Sequence, residues 1–118
     1  MRISKNQLPV KVTKELYQTL YQILAAANTP EEVEQIFAEL LSETEKVTVI
    51  KRMEIAVSLS RHESYEVIHK KLNVSSATIA SIQERMDQPG WKKVVEEVKL
   101  QREAETLVQK LKKLLSFW

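Results

Sequence analysis

The sequence contains no cysteine, one glycine and three prolines in 118 residues. Without cysteine there can be no disulfide, no thiolate metal site and no cysteine nucleophile. Antiparallel sheets need turn residues such as glycine and proline at every reversal, so their scarcity argues against an all-β fold. No apolar run approaches the roughly 20 residues that span a bilayer, and the N-terminal residues lead into no signal-type apolar core. We therefore expect a cytoplasmic protein without a membrane partner.

The composition is that of a folded domain. Hydrophobic residues make up 43% and charged residues 29% of the chain, a mixture unlike that of disordered proteins. The net charge of +2 is unevenly spread, because residues 1–14 carry four bases and no acid while residues 31–45 carry six acids and no base. The second half of the chain has a weak basic bias. That bias permits a polyanionic partner, and an ordinary solvated surface is the alternative.

Apolar residues recur at helical spacing almost throughout the chain. Thr29-Pro30-Glu31-Glu32 reads as a helix start, in which Thr29 caps, Pro30 takes the first helical position and Glu32 completes a capping box. Pro89-Gly90 is expected to break the chain before the last helix. We predict one all-α domain over residues 1–118, with six helices. They lie near 13–28, from 30 to about 41, from 43 to about 60, near 64–71, near 75–87 and near 91–115.

Residues 64–87 have the pattern of a helix-turn-helix. Two helices separated by about three residues must cross steeply, and a few apolar residues at fixed offsets must fill the crossing. The residues at those offsets are Ile68, Leu72, Val74, Ile79 and Ile82. Asn73 lies where such units need a residue that tolerates left-handed backbone, and Ser75 is a suitable N-cap for the second helix.

The second of these helices presents small residues outward. Its predicted outward face consists of Ser75, Ser76, Ala77, Ala80, Ser81 and Glu84. Small residues let a helix lie deep in the major groove, where hydroxyls reach phosphates or base edges and alanine methyls contact thymine methyls. Because no Arg or Lys lies in its first two turns, we expect weak direct guanine readout. Lys70, Lys71 and Arg85 are better placed to contact phosphates.

These segments resemble the tryptophan-repressor superfamily, and most of all its Trp-repressor-related YerC/YecD family. The resemblance covers roughly residues 28–100 and depends on residues 51–57, Ser64-Tyr65 and residues 73–80. It implies an intertwined homodimer whose two recognition helices are spaced for successive major grooves. It also implicates five residues in operator contact, namely Ser75, Ser76, Ala77, Thr78 and Ala80. The final leucine-rich stretch and Phe117-Trp118 have no counterpart in the family.

The resemblance does not extend to binding of tryptophan. In the repressor proper, an arginine on the third helix stacks on the ligand, and Arg52 is the residue that could match it. A second arginine, followed by glycine, lies on the recognition helix, but here those positions hold Ser81 and Ile82. The Ile82 side chain would occupy the space that glycine leaves open for the indole. We therefore expect no tryptophan corepressor.

No other group of residues points to chemistry. His62 and His69 lack a third ligand at metal spacing, and the chain shows no nucleophile, no glycine-rich phosphate loop and no paired carboxylates in a predicted pocket. We expect neither an enzyme nor a cofactor. The leading hypothesis is a sequence-specific, DNA-binding transcriptional regulator that acts as a homodimer through its helix-turn-helix, with the flanking helices used for dimerisation. The alternative is an all-α protein-interaction or dimerisation module that has lost DNA binding.

Overall fold

The computed structural model describes residues 8–116, which form helices and no strand. This confirms the predicted all-α fold with six helices. Their bounds are Val10–Ala26 (α1), Pro30–Leu40 (α2), Glu43–Ser60 (α3), Tyr65–Leu72 (α4), Ser76–Gln83 (α5) and Pro89–Leu115 (α6). Phe117-Trp118 and half of the basic segment 1–14 lie outside the described residues. Within that range no helix is both long and apolar enough to cross a membrane.

The chain divides after Glu43 into two compact units, and the first holds α1 and α2. The start of α2 follows the predicted capping pattern: the Thr29 hydroxyl accepts the Glu32 N–H at 3.2 Å, and Pro30 occupies the first turn. The Glu32 carboxylate reaches back to accept the N–H of Asn28 at 2.9 Å. Two backbone donors at the helix N-terminus are thereby satisfied. No described residue of this unit is buried.

The second unit contains the buried core. Ile55 and Ala56 from α3, Ile68 from α4, and Ile79 and Ile82 from α5 form one cluster, each at most 1% exposed. Each fully buried isoleucine contributes roughly 1.5–3 kcal/mol to folding. Partly buried residues close the cluster on all sides: Leu59, Tyr65, Leu72, Val74, Met86, Trp91 and Val95. The predicted core of the helix-turn-helix is therefore the core of the whole unit.

A left-handed residue ends α3. His62 has φ 60°, its N–H donates to the carbonyl of Leu59 at 3.0 Å, and the N–H of Glu63 donates to the carbonyl of Ser58 at 3.1 Å. This pair of bonds is a Schellman motif, which satisfies the last carbonyls of a helix. The chain then reverses to Ser64, whose hydroxyl caps α4 by accepting the N–H of Val67 at 3.2 Å.

The boundary between α5 and α6 differs from the prediction. The fifth helix ends at Gln83 rather than near residue 87, and turns follow at residues 84–87, where Met86 packs on the core. Pro89 and Gly90 do not break the chain but form the first residues of α6. A proline is favourable there because the first helical N–H groups have no intrahelical partner. Trp91, one residue later, packs against the core.

Only the first half of α6 packs on the other helices of the second unit. Val94, Val95 and Val98 are half-buried, and Arg102 donates to the Glu54 carboxylate of α3 at 2.8 Å. The hydrogen bond to Glu54 raises the pKa of Arg102 above its ordinary value. From residue 103 to residue 116 every side chain is exposed. The helix thus leaves the core at Arg102.

Candidate nucleic-acid interface

The turn between α4 and α5 has the geometry of a helix-turn-helix. Asn73 adopts φ 54° and ψ 56°, and its N–H donates to the carbonyl of His69 at 2.9 Å. Asparagine tolerates this left-handed conformation better than residues without a short polar side chain. Ser75 caps α5 by accepting the N–H of Thr78 at 3.1 Å. The predicted turn residue and the predicted cap are both confirmed.

Side chains on both sides of the turn hold the two helices in place. The His69 ring donates from Nδ1 to the carbonyl of Val74 at 2.7 Å, which bridges the end of α4 and the turn. The Tyr65 hydroxyl, at the first residue of α4, donates to Oε1 of Gln83, the last residue of α5. Ile68 and Ile79 are fully buried between the two contacts. The orientation of α5 is therefore determined at both ends and in the middle.

The outer face of α5 is small and accessible. Ser75, Ser76, Ala77 and Ser81 are exposed, while Thr78 and Ala80 are half-buried at the edges of this face. Ala80, which was predicted for the outward face, is therefore less accessible than Ala77. Glu84 follows directly and is exposed.

Most hydroxyls on this face are already engaged. The Ser75 and Thr78 hydroxyls lie 2.9 Å apart, and the Ser81 hydroxyl donates to the carbonyl of Thr78 at 2.9 Å. Within residues 8–116 the Ser76 hydroxyl has no intramolecular partner, so it can bond to a ligand without breaking an existing bond. Ser75 thus caps α5, while the hydroxyl of the neighbouring Ser76 remains available.

Two of the residues predicted to contact phosphates have accessible positive charges. The Lys70 ammonium lies 3.1 Å from the Glu66 carboxylate, and both side chains are about three-quarters exposed, at 74% and 76%. An exposed pair of this kind contributes little and exchanges easily for another anion. Arg85 is exposed just after α5, and among the described residues its guanidinium makes no ion pair. Both residues can reach an anion without disturbing the fold.

Lys71, the third predicted cation, is engaged within the unit. Its ammonium donates to the hydroxyl of buried Ser58 at 2.7 Å and to the Glu63 carboxylate at 2.9 Å. The hydrogen bond from Lys71 is the main reason why the pKa of Glu63 lies below its ordinary value. Neighbouring lysines therefore point to different surroundings, and the sequence could not distinguish them.

A cation–π contact lies between α3 and α6. The Arg52 guanidinium lies 5.9 Å from the centre of the Trp91 ring. Ile82, which stands where the family resemblance places glycine, is 1% exposed and belongs to the core cluster. Across residues 8–116 no group of three or more histidine and carboxylate side chains could hold a metal ion.

A family model described as Trp repressor protein matches residues 15–99. The matched segment is well over half of the chain and includes the helix-turn-helix and the packed half of α6. Comparisons with curated proteins and with solved structures gave no match. Residues 100–118 lie beyond the matched segment.

Proposed function

The chain belongs to the Trp repressor protein family, and we propose that it is a homodimeric transcriptional regulator that binds DNA sequence-specifically. The observation that carries the proposal is the outer face of α5, which is small, exposed and rigidly placed by the left-handed turn at Asn73. A helix of this kind fits the major groove, where its N-terminal residues contact base edges. The family consists of DNA-binding regulators and not of enzymes.

Contacts to DNA divide into base readout and phosphate binding. Ala77 and the unpartnered hydroxyl of Ser76 are the central groove contacts, with Ser75, Thr78, Ala80 and Ser81 around them. Lys70 and Arg85 bind phosphates from either end of the helix-turn-helix. Lys71 would have to leave Ser58 and Glu63 to reach a phosphate, so we assign it first to the support of α4.

The surplus of exposed apolar residues supports a homodimer. Six hydrophobic residues are buried, whereas eighteen large ones among the described residues are substantially exposed, including Leu16, Tyr17 and Ile23 on α1 and Val47 and Ile50 on α3. Exposed apolar patches of this extent mark interfaces. In a dimer, the two copies of α5 would read half-sites about 34 Å apart, one turn of DNA. Sedimentation equilibrium at micromolar concentration tests this; a monomer mass would contradict it.

Free tryptophan is not the effector in this proposal. The Ile82 side chain fills its own position in the core, and the Arg52 guanidinium already lies over an indole of the chain itself, that of Trp91. Both residues expected to define an indole pocket are thus used within the protein. Any effector of the regulator therefore has a different chemistry or a different site.

Selection of bound duplexes from a random DNA pool tests the proposal most directly. Enrichment of a palindrome would establish sequence specificity and two-fold symmetry together. Failure to enrich any sequence, together with affinity that does not fall with salt, would favour the protein-interaction module, because phosphate contacts make DNA affinity strongly salt-dependent.

The variant Ala77→Glu tests the role of α5. A carboxylate in the groove faces phosphates and base edges, so affinity should fall by at least about tenfold, given that a single mismatch costs about 1–3 kcal/mol. Ala38→Glu on α2 is the matched control, since it adds the same charge at another exposed alanine. Melting curves should be unchanged in both, because exposed substitutions stay within about 0.5 kcal/mol. Wild-type affinity in Ala77→Glu would remove α5 from the recognition role.

A further inference from the structure

The free half of α6 carries a coiled-coil seam. Five apolar residues recur there at alternating spacings of four and three: Leu100, Ala104, Leu107, Leu111 and Leu114. This is the repeat of about 3.5 residues that packs one helix along another. We propose that residues 100–111 pair with the same segment of a second copy of this chain, as a short antiparallel coiled coil. The proposal adds a defined contact to the proposed homodimer and does not depend on DNA binding.

The seam is uncovered within one copy of the chain. Leu100, Leu107, Leu111 and Leu114 are 49% to 61% exposed, and Val108 and Leu115 beside them are 48% and 71% exposed. The ion pair of Arg102 with Glu54 of α3 lies near the start of this segment, and every side chain from residue 103 to residue 116 is exposed.

Charges beside the seam select the occupant and its direction. Glu103 and Lys110 each precede a seam residue, Ala104 and Leu111, and so flank the seam on the same side. In an antiparallel pair with Leu100 facing Leu111 of the second copy, Glu103 of each copy lies opposite Lys110 of the other. The two-fold symmetry makes this ion pair twice. In a parallel pair, the same two residues would face Val108 and Leu115, and no charges would be matched.

The surroundings of Lys110 favour a carboxylate from outside. Lys110 lines an open groove of about 570 Å³ together with Arg61, Lys99 and Arg102, and Glu103 is the acid that the groove contains. Arg102 is already paired with Glu54. Glu103 is therefore the single acid beside the three remaining bases of the groove, which are Arg61, Lys99 and Lys110. The Glu103 carboxylate of a second copy would bring the missing negative charge.

Disulfide trapping gives a direct test, because the sequence contains no cysteine. The variants Leu100→Cys and Leu111→Cys, carrying different tags, are mixed, allowed to exchange and oxidised mildly. The antiparallel register predicts a crosslink between the two variants and little crosslinking of either alone. Leu100→Cys mixed with Gln109→Cys is the control, since residue 109 lies on the opposite side of the helix from the seam. Crosslinking of Leu100→Cys to itself would show a parallel pair, and the absence of any crosslink would show another occupant; either result overturns the proposal.

Charge exchange gives a second, independent test by sedimentation equilibrium. Glu103→Lys and Lys110→Glu each place like charges opposite one another twice, so each should weaken self-association at least several-fold. The double variant restores the ion pairs in reverse and should recover the wild-type constant. The register would be refuted if neither single variant changed the self-association constant. It would also be refuted if the double variant associated more weakly than both single variants. The proposed DNA function is judged separately, by Ala77→Glu, so the two proposals can fail independently.

Discussion

Adjacent lysines at the end of α4 should respond in opposite ways to replacement by alanine. Lys71 is held by buried Ser58 and by Glu63, whereas Lys70 makes one exposed ion pair with Glu66. Both variants remove one positive charge from neighbouring helical positions. Each is therefore the matched control for the other.

The expected magnitudes follow from what each ammonium leaves behind. Lys71→Ala deprives the buried Ser58 hydroxyl of its partner, which costs about 1–3 kcal/mol, and the partly exposed pair with Glu63 adds at most about 1 kcal/mol. At about 4 °C per kcal/mol for a chain of this size, the Tm should fall by roughly 4–16 °C. Lys70→Ala should lower the free energy of unfolding by no more than about 0.5 kcal/mol, or about 2 °C.

For binding to the selected DNA, Lys70→Ala should have the larger effect and Lys71→Ala the smaller, which is the reverse of their effects on stability. Lys70→Ala should weaken binding to all sequences alike and flatten the dependence of log affinity on log salt by about one unit, as expected for one lost phosphate contact. Lys71→Ala, measured where it is folded, should leave that slope unchanged. Fluorescence anisotropy at several salt concentrations and thermal unfolding supply both readouts. Equal melting temperatures for the two variants, or equal losses of salt slope, would refute the division of roles.

A double variant separates the hydrogen bond from the loss of charge. Ser58→Ala combined with Lys71→Met removes the buried hydroxyl together with its donor, so no buried hydroxyl is left unpaired. The loss of the Glu63 ion pair occurs equally in Lys71→Met alone and cancels in the comparison. Its unfolding free energy should exceed the value expected from adding the two single losses. Strict additivity would show that the Ser58–Lys71 bond contributes nothing.

Three further outcomes test the core, the ion pair and the effector. Ile79→Ala, at a fully buried position, should lower the free energy of unfolding by about 2–5 kcal/mol in urea titrations, and a loss under 1 kcal/mol would contradict the assigned core. Because the pKa of Glu63 is lowered in the folded state, its carboxylate contributes stability above the ordinary value of 4.5, and this is lost as pH falls through the lowered pKa. Glu63→Gln should therefore flatten the acid side of the stability curve, and an unchanged curve would show that Glu63 is not coupled to folding. Calorimetric titration with millimolar tryptophan should give no saturable heat, and a binding isotherm would refute the assignment of Ile82 and Arg52.

Local signals in the sequence predicted the elements of the helix-turn-helix. Asn73 acts through its own backbone conformation, and Ser75 acts through its bond to the N–H of Thr78, three residues away. Their roles can therefore be predicted without knowing any distant neighbour. The spacing of Ile68, Ile79 and Ile82 identified the buried face for the same reason, since helical geometry alone puts them on one side. These predictions are confirmed at the level of single residues.

Boundaries without a strong local signal were predicted less well. Pro89 and Gly90 can break a helix or begin one, and the extended backbone at Gln88 decides that they begin α6. The early end of α5 depends on Met86 turning back to the core, which is a tertiary contact. His62 at the end of α3 adopts a left-handed conformation that is more common for glycine or asparagine. No pattern in the sequence predicted this conformation.

Helix periodicity, caps and turn chemistry are local, and for this reason the sequence by itself determined the all-α fold, the helix-turn-helix and the small outer face of α5. Direction and pairing of long side chains are not local. Only the tertiary structure decided that Lys71 turns inward to Ser58 while Lys70 remains outside, that Tyr65 reaches Gln83, and that α6 leaves the core at Arg102. Each of these depends on which groups other helices bring within hydrogen-bonding distance, and the order of residues along one helix does not contain that information.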